Sequence, residues 1–276
     1  MAYIFLNLKR FDISPEKGGV NSLCPIGDWA STIVNGTSSI KDYPDDTFAA
    51  FFPEAHLMNA ARAKAESGSP LAIGCQGCFT EDTAKGGSFG AFTSLLTANA
   101  ASELGASWAL IGHCEERKSK AAIIEAAGGN SAVVSSILNK EIKCAQAAGL
   151  NVLYCIGESA DEVSHWQDVL KAQLTEGLKD TDLSKIAIAY EPIWAIGPGK
   201  TPPGRERIQE TARFIRSIVD IPVVYGGGLK SDNAEMLASI PEISGGLIAL
   251  TRFTGDIGFY PDEYLDIVKI YLSNKQ

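Results

Sequence analysis

The chain has 276 residues, 45% of them hydrophobic, with 24 basic against 33 acidic side chains and a formal charge of -9. That length can bury a sizeable core, and the acidic balance argues against non-specific binding to nucleic acid or to an anionic membrane surface. No run of about 18 apolar residues occurs, and residues 1–10 lack the basic and apolar regions of a secretion signal, so a cytoplasmic protein is expected. The six cysteines, Cys24, Cys75, Cys78, Cys114, Cys144 and Cys155, lack the spacing of a zinc site or a disulfide framework and are read as reduced. Cys75 and Cys78 form a Cys-x-x-Cys, but no second pair or nearby histidine completes a metal site, so both are read as structural.

Short apolar runs alternate with amphipathic stretches throughout, with no linker between them. Candidate strands cover 3–9, 47–52, 71–76, 108–112, 151–156, 186–190, 223–226 and 246–250. Helical periodicity marks 55–67, 97–104, 132–148, 161–177, 205–218, 232–238 and 261–272. This is the pattern of a parallel sheet with crossover helices in one domain over 1–276, and by itself it leaves a closed barrel and a doubly wound sheet both open.

Chemistry-bearing residues gather where strands end, which is where parallel β/α folds bind ligands. The first run points Asn7 and Lys9 to the same side, because side chains alternate along a strand, and there Lys9 offers a fixed cation. The fourth run ends in Ile111-Gly-His-Cys-Glu115, which contains one of only three histidines. The other two, His56 at a helix start and His165 in an amphipathic stretch, are read as structural. The fifth run leads into Tyr154-Cys-Ile-Gly-Glu158. The sixth is wholly apolar and delivers Glu191 at its end, where Pro192 stops the strand and Ile193 and Trp194 form an apolar hinge. Ala195, Ile196, Gly197, Pro198, Gly199, Lys200 and Thr201 follow, with glycines that let backbone amides approach an anion, so a lid over a base is expected. After the seventh run, Val224-Tyr-Gly-Gly-Gly228 offers Gly227 and Gly228 to crowd a phosphate.

The stretch Ala189-Tyr-Glu-Pro-Ile-Trp-Ala-Ile-Gly-Pro-Gly-Lys-Thr201 resembles the base-bearing strand and flexible lid of the triosephosphate isomerase family. Asn7-Leu-Lys9, Ile111 to Glu115 and Val224 to Gly228 extend the resemblance over nearly the whole chain. It implies an eight-stranded parallel β/α barrel, a TIM barrel, with its site at the C-terminal rim of the strands. It also implies an aldose–ketose isomerase of carbohydrate metabolism (glycolysis), acting on a phosphorylated small sugar without metal or organic cofactor. The nominal pair is glyceraldehyde 3-phosphate and dihydroxyacetone phosphate. In this scheme Glu191 removes a proton from carbon, while neutral His113 and Lys9 stabilise an enediolate, with Asn7 beside them and Glu115 supporting Lys9. Gly197, Gly227 and Gly228 meet the phosphate, and Ile196 and Ile248 close over Glu191. Glu158 is implied to be structural. Gly90-Ala-Phe-Thr93 resembles the loop that reaches the neighbouring subunit in family dimers, implying a homo-oligomer.

Departures from the family pattern are local. Cys114 stands in place of a serine, Gly228 lacks another serine hydroxyl, and Leu250-Thr-Arg252 stands where the family has two glycines. Leu250, Thr251 and Arg252 are therefore expected to shape a displaced phosphate site, with Arg252 preferred as a bidentate ligand over a pairing with a surface acid. Residues 11–23, 80–89, 118–131 and 253–260 are read as lengthened rim loops that set substrate shape. Three other readings stand beside the first. One is the same chemistry on a four-carbon ketose phosphate, an erythrulose phosphate isomerase. Another is a Schiff-base aldolase using Lys9, disfavoured because Glu115 would keep the amine charged. The last is a catalytically silent metabolite-binding barrel.

Overall fold

Alternation of side chains along short strands builds the barrel in two shells. The computed structural model describes residues 1–197 and 199–275, so Pro198 of the expected lid lies outside the described residues. Eight parallel strands, β1 (Tyr3–Asn7), β2 (Thr47–Phe52), β3 (Ala72–Cys75), β4 (Trp108–Ile111), β5 (Asn151–Ile156), β6 (Ile186–Tyr190), β7 (Val223–Tyr225) and β8 (Gly245–Ile248), pair in chain order. β1 also pairs with β8 in the register Tyr3 to Gly245 and Phe5 to Leu247, and this closes the barrel. Phe5, Phe51, Trp108, Leu110, Leu153, Val224 and Leu247 point inward and fill the interior, with the rings of Phe5 and Trp108 meeting edge-on at 5.1 Å. Their neighbours Ile4, Leu6, Ile73, Ile111, Ile156, Ile188 and Ile248 belong to the outer core beneath the helices.

The helices are α1 (Trp29–Gly36), α2 (Leu57–Ser67), α3 (Ala98–Glu103), α4 (Cys114–Ala126), α5 (Val134–Ala147), α6 (Trp166–Gly177), α7 (Arg205–Ile218), α8 (Ala234–Ala238) and α9 (Pro261–Asn274). Most of 118–131, expected as a rim loop, is helix; α4 buries none of its residues, so its sequence has no apolar stripe to read. α1 went unforeseen although it buries Trp29, Ala30, Ile33 and Val34, because a short Ser-Thr-Ile-Val run has weak intrinsic helix preference. His165 ends a 3₁₀ turn, Ala160–His165, rather than lying within a helix. The first strand stops at Asn7 instead of residue 9, since Lys9 turns into the left-handed region at φ 42. Among the described residues no helix is long and apolar enough to cross a membrane.

Candidate active site

Directly above the interior core, the strand ends carry a polar layer. Asn7 is buried, and its Oδ1 accepts from the Lys9 backbone N–H (3.1 Å) and from Gln76 Nε2 (2.9 Å). Both lone-pair directions are thereby used, while Nδ2 is buried without a protein partner among the described residues. The turn this creates aims Lys9 Nζ at Glu115 Oε1, 2.8 Å away. Gln76 also donates to the Phe51 carbonyl (2.7 Å), and it was not picked out from sequence because a strand-end glutamine ordinarily looks like a solvated terminus.

His113 caps α4. Its Nδ1 accepts from the Glu115 backbone N–H (3.3 Å), so that nitrogen is unprotonated and the ring proton sits on Nε2. Burial, and then the charge of Lys9, push the imidazole down to about 4, and the positive end of the α4 dipole acts in the same sense. The ring is therefore neutral at physiological pH. Its position is fixed by the peptide before it. Arg117 Nε donates to the Gly112 carbonyl (2.9 Å) and Glu116 Oε2 accepts from the Gly112 N–H (2.6 Å), so two α4 side chains grip one peptide unit. Arg117 further donates to the Cys155 carbonyl (2.8 Å) and the Tyr154 hydroxyl (2.9 Å), tying β4 to β5. Sequence reasoning passed over both residues.

Glu191 leaves β6 with only 2% of its surface exposed. Its Oε2 accepts from the Cys114 backbone N–H (2.9 Å), and Oε1 faces His113 Nε2 at 3.2 Å. Burial pushes the carboxyl up to about 8 against the opposing pull of the Cys114 N–H and of Lys9. The neighbouring strand leaves room for it: a Cβ at Gly226 would lie 2.8 Å from Glu191 Cγ. His113, Cys114 and Glu191 also form the one grouping of metal-competent side chains among the described residues, with ligand atoms within 4.8 Å of each other. Burial and the Glu191 charge push the Cys114 thiol up to about 12, so at neutral pH it keeps its proton and offers no thiolate.

The hinge of the expected lid is a single 3₁₀ turn, Ile193–Ala195, anchored on Glu158. This fully buried carboxylate accepts from the Tyr190 hydroxyl (3.0 Å), Trp194 Nε1 (2.9 Å) and an Arg207 guanidinium nitrogen (3.2 Å). Beyond the turn, Gly197 and Gly199 are exposed, with φ of 119 and 74. Ile248 does not stand over Glu191. It pairs with outward-facing Leu6, and Leu247, opposite Phe5, is the inward residue of β8.

The expected ligand turn after β8 is organised otherwise. The N–H groups of Thr251 and Arg252 both donate to the Gly258 carbonyl (3.1 Å each), and Thr251 Oγ1 accepts from the Tyr260 N–H (2.9 Å). Arg252 donates twice to Glu263 Oε1 (2.8 and 2.6 Å) and stacks on the Tyr260 ring at 3.8 Å. The guanidinium thus pairs with an acid, the alternative to the ligand role first expected of it. Leu250 lies beside this hairpin, half-buried. Of the two presumed structural histidines, His56 is buried with Nε2 on Asp12 Oδ2 (3.1 Å), and His165 is exposed.

Comparison with known proteins bears on this geometry. The profile of one family, described as triosephosphate isomerase, matches residues 29–269. Similar proteins include the triosephosphate isomerase of Prosthecochloris aestuarii, 35% identical over 216 residues that span 74% of this chain and 76% of that one. The Lactobacillus helveticus triosephosphate isomerase is 32% identical over 223 residues, 75% of this chain and 79% of its own. A crystal structure of triosephosphate isomerase from Bartonella henselae aligns over 98% of this chain and 99% of its own, with a TM-score of 0.73 at 23% identity, a likeness of fold.

Proposed function

The chain belongs to the triosephosphate isomerase family and is an isomerase, and on that premise we propose that it interconverts glyceraldehyde 3-phosphate and dihydroxyacetone phosphate through an enediolate. The observation that carries this reading is the approach of Glu191 Oε1 to a neutral His113 Nε2–H at 3.2 Å, in a site that also holds the Lys9 ammonium. Glu191 moves off the Cys114 N–H to reach the substrate and takes a proton from the carbon beside the carbonyl. The C–H electron pair flows to the carbonyl oxygen, where Nε2–H and Lys9 hold the developing charge. The unpartnered Nδ2 of Asn7 is a further donor for a substrate oxygen. His113 Nε2 gives its proton to the former carbonyl oxygen and takes the one on the adjacent hydroxyl, and Glu191 then returns its own proton to the neighbouring carbon. Lys9 acts as a fixed charge, since its ion pair with Glu115 at 2.8 Å engages the ammonium and disfavours Schiff-base chemistry.

A second reading, isomerisation of a four-carbon ketose phosphate, is favoured by the hairpin that Leu250 to Arg252 form in place of bare backbone. One assay separates the two. The full chain is offered phosphorylated aldoses and ketoses of three, four and five carbons, and solvent deuterium exchange into substrate carbon is followed by NMR. We expect the highest kcat/KM for the triose phosphates. A higher value for erythrulose phosphate would select the second reading, and no isomerisation or exchange with any of them would sink both. The same proposal includes a single barrel domain over 1–276 acting as a homo-oligomer in the cytoplasm. The exposed apolar side chains of the loop after β3 support the oligomer, and the six free cysteines support the cytoplasm.

A further inference from the structure

In the hairpin after β8 the amides of Thr251 and Arg252 and the Arg252 guanidinium are already used within the protein. The turn after β7 contains a cation that the scheme above does not use. Lys230 follows Gly227, Gly228 and Leu229, and it is held by one side chain: its N–H donates to Asn233 Oδ1 (2.8 Å) while Asn233 Nδ2 donates to the Gly228 carbonyl (2.9 Å). Fixed in this way, Lys230 folds back over the glycines. A Cβ built on Gly228 would lie 3.5 Å from Lys230 Cε, so the amine hangs beside the position where the resembling family carries a serine hydroxyl.

Three observations show that this amine is disposed toward a ligand. Among the described residues no carboxylate oxygen lies within 4.0 Å of Nζ, whereas Lys9, Lys120 and Lys143 are each ion-paired. Nζ rests 4.2 Å from the centroid of the Phe253 ring, which belongs to the segment after β8 that lengthens the rim. A cation over an aromatic face is held in place without neutralisation and keeps its hydrogens for another acceptor. Lys230 also lines a cavity of about 200 Å³ together with Pro203, Tyr225, Gly228, Asp232 and Asn233, between the foot of the lid and the β7 turn. Asp232 is the one acid of that lining, and it is exposed.

We infer that Lys230 is the principal ligand for the anionic group of the substrate, supplying by one charged amine what the Leu250 to Arg252 hairpin withholds. The inference rests on the proposed isomerase reading. An ammonium on a flexible stem is a point charge without a fixed fork, so it follows a phosphate whose position shifts with substrate length. The contact is also more sensitive to salt than one made by neutral amides.

The test uses the full chain with Lys230→Met, Lys230→Gln and Lys230→Arg. It reads kcat/KM for glyceraldehyde 3-phosphate and for unphosphorylated glyceraldehyde, and binding of inorganic phosphate by direct titration. Losing a charge-assisted contact should lower kcat/KM for the phosphorylated substrate roughly 100-fold and weaken phosphate binding roughly tenfold or more in the Met and Gln variants. Lys230→Arg should recover most of both, unphosphorylated glyceraldehyde should turn over as before, and Arg252→Ala should have the smaller effect. Phosphate affinity and kcat/KM within twofold of wild type in both neutral variants would overturn the assignment. If the wild-type chain isomerises no sugar phosphate, the isomerase reading fails; the phosphate titration still decides whether Lys230 binds the anion.

Discussion

As the proposed base, Glu191 is buried enough to be strong, and for the same reason it is costly to ionise. Since the free enzyme must carry the ionised carboxylate to react, kcat/KM should rise with pH up to about 8 and level off above it. His113, held down to about 4, should add no inflection in between. An acid limb centred near the ordinary carboxylate value would sink Glu191 as the titrating base. Glu191→Asp should lower kcat roughly 100-fold with little change in KM, because one methylene moves the oxygen away from the carbon acid. The raised carboxyl also has a signature in stability. Folded Glu191 keeps its proton up to about 8, whereas the unfolded side chain loses it near 4.5, so the native state binds more protons across that window and its stability falls as pH rises. Glu191→Gln removes this contribution. The unfolding free energy of the variant relative to wild type should therefore climb between pH 4.5 and 8, as read by urea denaturation at several pH values, and a flat difference would contradict the burial argument. At this scale the sequence was informative where a residue's context is local. An apolar strand ending in Glu-Pro announces a carboxylate at a strand end. Lys230 gives no such signal: Gly-Leu-Lys-Ser-Asp reads as a solvated turn, and its aromatic support, Phe253, arrives from the loop after the next strand.

Among the elements, the hinge of the proposed lid depends most on one buried group. Glu158 gathers donors from β6, the hinge turn and α7, so the first turn of the lid is fastened to two neighbouring units of the barrel. Trp194→Phe keeps the ring and deletes one donor, while Tyr190 and Arg207 continue to satisfy the carboxylate. The expected cost in stability is about 1 kcal/mol, that of a single net hydrogen bond. A loosened hinge should show more clearly in function, with kcat/KM falling roughly tenfold and inorganic phosphate appearing as an enediol intermediate escapes and eliminates. Lost stability with unchanged kcat/KM and no phosphate release would mean that the indole hydrogen bond only supports the fold. Element boundaries were legible where an apolar stripe runs the length of the helix, as in α7, expected and found over 205–218. α4 was missed because its contributions are polar: it grips Gly112 through Glu116 and Arg117 and is capped by His113, and hydrophobic periodicity does not report such contacts.

For the whole molecule, strand count and direction were readable from the alternation of apolar runs and helices, but closure was not, because it depends on Tyr3 of the first strand meeting Gly245 of the last. The rim loops that the closed barrel displays raise the matter of association. The loop after β3 leaves Phe89 92% exposed and Leu95 47% exposed, and Ile26 in the loop after β1 is 54% exposed, apolar side chains left uncovered on rim loops. Cover by a second copy would bury these side chains, and that is the reading adopted for the oligomer. Two chains of formal charge -9 repel one another, so the proposed association would be apolar in origin and should tighten as salt rises. Phe89→Asp places a charge at the most exposed apolar position and adds to the repulsion. It should weaken self-association roughly 100-fold or more, as loss of a central aromatic anchor does. Sedimentation equilibrium at low and high salt measures both effects. If Phe89→Asp associates as the wild type does, or if added salt loosens the wild-type assembly, the apolar loop is not the contact between subunits.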